Sequence, residues 1–117
     1  MKKLIFSMSF VFVSVMSNAQ IAEVKEDGSR LKIYDDNGYK TSISVSNSGY
    51  LGGYNSSYVV VVDGSRAKIY DAKGSYQTSI SMCSSCRVQN VSGSYILIKD
   101  GSRTKYYNFK GSYVKST

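Results

Sequence analysis

The sequence predicts an all-β protein made of three tandem copies of one strand-and-turn unit, and three observations predict it. The tetrapeptide Asp-Gly-Ser-Arg occurs at 27–30, 63–66 and 100–103, and the likeness between copies runs well past it. Apolar and polar residues alternate with a period of two through much of each copy, the pattern of half-buried strands. The chain also holds ten glycines, eleven tyrosines and no proline. Turns must therefore come from Gly, Asn, Asp and Ser, while Tyr, Val and Ile supply the strands.

In chain order, the first nineteen residues read as a secretory signal. Lys2 and Lys3 form a positive start, and Leu4 to Met16 is apolar apart from Ser7, Ser9 and Ser14. Ser17-Asn18-Ala19 then offers small residues at a cleavage site. The apolar part falls short of the roughly 20 residues that cross a bilayer as a helix, and no cysteine follows to carry a lipid. Cleavage after Ala19 is expected, giving a β domain over 20–117 with no membrane span and a periplasmic or extracellular location. Removing the two signal lysines takes two charges from the formal +7 of the full chain.

The β domain divides into units of about 20–48, 49–85 and 86–117. Beyond Asp-Gly-Ser-Arg the copies align at Lys32, Lys68 and Lys105, then Tyr34, Tyr70 and Tyr107, then Gly38, Gly74 and Gly111. An extra Ser75, placed in a turn, accounts for the one-residue difference in spacing. Four strands are expected per unit. Tyr58 to Val62 and Tyr95 to Ile98 are short apolar runs, read as strands buried on both faces. Asp63-Gly64 reads as a two-residue hairpin loop. The next strand alternates, Ala67 and Ile69 on one face and Arg66, Lys68 and Tyr70 on the other. Asp71-Ala72-Lys73-Gly74 has the residue order of a type I turn, and Tyr76 to Ile80 forms a third strand. Gly49 to Tyr54 and Cys86 to Val91 form the least strand-like segment.

Four short antiparallel strands, with an innermost apolar one and more polar outer ones, resemble a blade of a β-propeller. The resemblance implies blade-like sheets arranged around an axis. It is one of pattern, since the chain has no tryptophan and so no Gly-His…Trp-Asp signature. A β-trefoil, also three units of four strands, and an open meander are the alternatives. Unit one enters after its first strand, so eleven strands are expected, an incomplete ring of three blades. Propellers typically need at least about four blades to close. A homodimer that completes six is therefore expected, with Ile21 to Glu26 and Tyr113 to Thr117 at the seam.

The chain has no histidine, which removes Ser-His and Cys-His nucleophiles and histidine-based zinc sites. Two features could carry function. The triplets Arg30/Lys32/Tyr34, Arg66/Lys68/Tyr70 and Arg103/Lys105/Tyr107 each lie on one strand face. Arrayed by the repeat, they could grip a glycan or other anionic polymer by charge and stacking. Equally, they are what a solvated strand face requires. Cys83 and Cys86 read as a local disulfide staple, because unit one has Ser46 and Gly49 there and no helix is at hand to activate a thiolate. Asp35-Asp36-Asn37-Gly38 reads as a turn and not a metal loop, since its copies lose the acids. No metal or cofactor is expected. A non-catalytic exported binding module is the favoured function. A small secreted glycan hydrolase is the alternative, and it would need two convergent carboxylates.

Overall fold

The computed structural model describes residues 20–117; the signal sequence read at 1–19 lies outside the described residues. Among the described residues the chain is all-β, with eleven strands and no helix. The first sheet has three strands, β1 (Glu23–Asp27), β2 (Arg30–Asp35) and β3 (Gly38–Ser44). The middle sheet has four, β4 (Tyr50–Tyr54), β5 (Tyr58–Asp63), β6 (Arg66–Asp71) and β7 (Tyr76–Ser81). The last sheet also has four, β8 (Arg87–Ser92), β9 (Tyr95–Asp100), β10 (Arg103–Tyr107) and β11 (Tyr113–Ser116). Every sheet is an antiparallel meander in chain order, and they remain three separate sheets. The first lacks a counterpart of β4 and β8. Its free edge, β1, carries four charged residues in five, the kind of guard that keeps an open edge from pairing.

Two expectations change in detail. The apolar strands β5 and β9 are second in their sheets, paired on both sides. The strands at the close approach between sheets are β4 and β8, because Gly52 and Gly53 remove side chains there. A Cβ on Gly53 would stand 2.8 Å from the Val91 side chain. The hairpin loops are also shifted by one residue. Asp63 pairs with Arg66, which leaves Gly64-Ser65 as the loop, and only Gly64, at φ 64°, takes the left-handed conformation. Glycine at the first central position is the requirement of a type II′ turn, whose twist matches that of the strands. Gly28-Ser29 and Gly101-Ser102 repeat it, flanked by Asp27–Arg30 and Asp100–Arg103 pairs.

Each sheet has a front, bearing the Arg/Lys/Tyr triplet, and a back. The register places Val59 and Val61 opposite Tyr70 and Lys68 on the front of the middle sheet. Val60 and Val62 lie opposite Ile69 and Ala67 on its back. The back of the first sheet, with Val24, Leu31, Ile33 and Ile43, packs on that front. The back of the middle sheet, with Val60, Ala67, Ile69 and Ile80, packs on the front of the last, with Ile96 and Ile98. Val59, Val60, Ile69 and Ile96 are all 0% exposed, and each side chain so buried stabilises the fold by about 1.5–3 kcal/mol. The continuous valine run is thus explained: β5 lies in the middle sheet and feeds both cores.

Candidate binding surfaces

The three sequence triplets occupy equivalent places but are not brought together. Their sheets stack back to front, so a whole sheet separates each triplet from the next. Tyr70 packs at the first core and Tyr107 at the second, while Tyr34 lies on the open front of the first sheet. Each tyrosine meets another edge to face: Tyr34 with Tyr39, Tyr70 with Tyr76, and Tyr107 with Tyr113, at 5.7–5.9 Å. The charges are partnered as well. Lys32, Lys68 and Lys105 form ion pairs with Asp27, Asp63 and Asp100 at 2.7, 3.0 and 2.9 Å. Arg30, Arg66 and Arg103 donate to the hydroxyls of Ser42, Ser79 and Ser116 on the next strand.

The ion pairs follow from the hairpin. The Asp closing each II′ turn and the Lys two residues past the Arg share the front face, so the ammonium reaches back to the carboxylate. The hydrogen bond from Lys32 holds the Asp27 carboxyl below the usual carboxylate range. That from Lys68, with a second from the Ser46 hydroxyl, does the same for Asp63. Lys32, Lys68 and Lys105 are raised in turn by their hydrogen-bonded aspartates.

Other acids are engaged locally. Asp35 accepts the N–H of Asn37, and Asp71 accepts those of Lys73 and Ser75. Asn108 repeats the Asp71 pattern with Lys110 and Ser112. These are turns closed by their own first residue, as the sequence implies. Glu26 accepts the N–H of Leu51, tying the first sheet to the middle one. Cys83 and Cys86 are joined in a disulfide. Their sulfurs lie within 4.8 Å of an Asp100 oxygen, but sulfurs bonded to each other offer no thiolate to a metal. The N–H of Cys86 reaches the Cys83 carbonyl as that of Gly49 reaches Ser46. The same turn therefore forms in the first copy without the bond.

Two surfaces escape sequence reasoning. One is a groove of about 380 Å³ lined by the turns at Asn55, Gly93 and Asn108, where Tyr58 and Phe109 stack at 4.5 Å. The other is the back of the last sheet, which no further sheet covers among the described residues. There Tyr95 and Tyr106 meet edge to face at 5.5 Å. The Lys115 ammonium stands over both rings, 4.9 Å from the centre of Tyr106 and 5.8 Å from that of Tyr95. Lys99 lies directly across from Arg87 on β8 and Thr104 on β10. Basic charge is concentrated in this unit. Residues 86–117 contain Arg87, Lys99, Arg103, Lys105, Lys110 and Lys115 against one acid, Asp100, whereas seven basic and seven acidic residues balance over 20–85.

No family model and no curated protein matches the chain. Among solved structures, it is similar in fold to a protein of unknown function from Bacteroides caccae, with a TM-score of 0.56 at 10% identity. The match covers 83% of this chain and 39% of that one, so this chain spans about two fifths of the other's length. The likeness is one of fold alone.

Proposed function

We propose that this protein is an exported, non-catalytic binding module, built of propeller-type blades in an unclosed array, that recognises an anionic polymer such as an acidic glycan. The observation that carries the reading is the uneven charge. The basic excess is collected in the last unit, on a sheet with one uncovered face. Collected charge attracts a polyanion more strongly than the same charge dispersed among acids. Tyrosines beside it supply flat, amphipathic contact area at low entropic cost. The acids favour binding over hydrolysis, because six of the eight are engaged in hairpin ion pairs, turns or the Glu26 link. A pair of carboxylates flanking a glycosidic bond would have to be free of such duties. The disulfide fits an oxidising compartment.

The test is binding of the purified protein to polygalacturonate and to neutral dextran, by calorimetry. Polygalacturonate should bind at low ionic strength, and binding should weaken steeply toward physiological salt, where the screening length is about 8 Å. Equal binding to dextran, or none to any polyanion at low salt, overturns the reading.

A further inference from the structure

We propose that the back of the last sheet is the binding face, and that its ligand is an extended chain of acidic sugars; this rests on the reading of the protein as a polyanion-binding module. The argument starts from what the repeat puts at equivalent positions. On the backs of the first and middle sheets, Ile33 and Ile69 are buried under the next sheet, as are Leu31 and Ala67. The last sheet has Tyr106 and Thr104 at these places, Lys99 at the place of Val62, and Thr117 at that of Ile80. Where two copies have Leu31/Ile33 and Ala67/Ile69 the third is hydroxylated and aromatic, and Lys99 stands where the first two have Glu26 and Val62. The change removes a packing surface and leaves one that water and polar ligands can wet.

The charges on this face are arranged differently from those of the triplets. Lys32, Lys68 and Lys105 are each neutralised by an aspartate. Among the described residues, no carboxylate forms an ion pair with Lys99, Lys115 or Arg87. Arg87 and Lys99 stand directly opposite on β8 and β9. Like charges so placed repel and destabilise a sheet, and an anion held between them relieves the repulsion. Lys115 lies two strands from Lys99 and one pair further along, opposite Tyr106. From strand spacing and rise, that separates the two basic points by about 10–12 Å. One small anion does not bridge that distance; a chain with charge at intervals does.

Between the two points lie Thr104 and Tyr106 on β10, with Leu97 beside Tyr106 and Tyr95, its edge-to-face partner, just beyond. Tyrosine rings stack against the C–H faces of sugars, while their hydroxyls meet sugar hydroxyls. The Lys115 ammonium, already placed over both rings, holds the platform without consuming its charge. Acidic polysaccharide is favoured over nucleic acid by the disulfide, which fits an oxidising compartment, where extracellular glycans are the common polyanions.

The test compares two sets of substitutions for binding to polygalacturonate, single-stranded DNA and anionic phospholipid vesicles. Lys99→Gln with Lys115→Gln should weaken polygalacturonate binding at least about tenfold, since charge-assisted contacts are the strong ones. Lys99→Arg with Lys115→Arg should restore it, which separates charge from folding. Arg30→Gln, Arg66→Gln and Arg103→Gln together should change it by less than about threefold, because those side chains lie on the front faces. Loss in the arginine variant with binding intact in the lysine variant overturns this face while leaving the polyanion function standing. Preference for DNA or vesicles over polygalacturonate overturns the sugar assignment. Absence of binding to every polyanion overturns both the face and the function.

Discussion

The middle sheet and the two outer sheets share one backbone plan, yet they treat their faces in opposite ways. Where a face is covered, the second strand carries Val59 and Val61 or Ile96 and Ile98, all at most 2% exposed. On the uncovered front of the first sheet the same two places are Glu23 and Lys25, both exposed. On the uncovered back of the last sheet, Ile69's place is taken by Tyr106. A handful of positions per face therefore decides whether a sheet is stacked or ends the stack. The two ends also differ from each other. The first is close to charge balance: Lys32 and Lys40 are paired with Asp27 and Asp35, and Lys25 stands over the Tyr34 ring opposite Lys32. The last is unbalanced and positive, which is why we assign it the ligand.

This contrast can be broken most directly in the core. Ile69→Ala, which empties a site at 0% exposure, should lower unfolding stability by about 2–5 kcal/mol. Tyr106→Ala, at the equivalent place on the open face, should cost clearly less; urea unfolding of the two variants checks the difference. Equal losses would mean that the last sheet's back is covered after all.

Adding rather than removing apolar surface sharpens the comparison. Glu23→Val with Lys25→Ile would give the first sheet the front of a covered one, and the protein should then associate as concentration rises. The natural protein should keep the mass of one chain at tens of micromolar by light scattering. The homodimeric ring expected from the strand count would have to bury Glu23 and Lys25, and desolvating such charges is costly unless each finds a partner. A dimeric natural protein would show that they do.

Smaller effects belong to the rim. Cys83→Ser with Cys86→Ser should cost no more than about 2 kcal/mol, since the loop closed is very short and unit one makes the same turn without it. Complete unfolding would contradict this. The smallest effect is electrostatic. Asp27 and Asp63 are held below their unfolded values, so their contribution is present above about pH 4 and fades as pH falls through the folded values. The partner lysines are raised, so theirs is complete below about pH 10 and is lost as pH rises through the folded values. Thermal scans should show a shallow plateau between these limits, flattened further by salt. A lysine-side loss already at neutral pH would refute the pairing.

Much of this architecture was legible in the sequence because it is local. Alternation marks which residues of β6 share a face, and Asp-Gly-Ser-Arg marks each hairpin. Strand count and the missing first strand of unit one follow from aligning the copies. What alternation does not reveal is which sheet a face will meet. Lys68 and Tyr70 look like part of a solvated stripe until β5 brings Val59 and Val61 onto the same side under the first sheet, while Arg66 stays exposed. The face we propose for binding escapes the sequence for a related reason. It shows only where the copies disagree, at Ile33, Ile69 and Tyr106 or at Val62 and Lys99, whereas the repeat draws the eye to where they agree.

The most direct measurement is a nuclear magnetic resonance titration of the isotopically labelled protein with short polygalacturonate fragments at low salt. The account predicts that the shifted backbone amides cluster on the back of the last sheet, at Arg87, Leu97, Lys99, Tyr106 and Lys115, with the first sheet unmoved. Shifts gathered instead at Arg30, Arg66 and Arg103, or spread evenly over all three sheets, would contradict it.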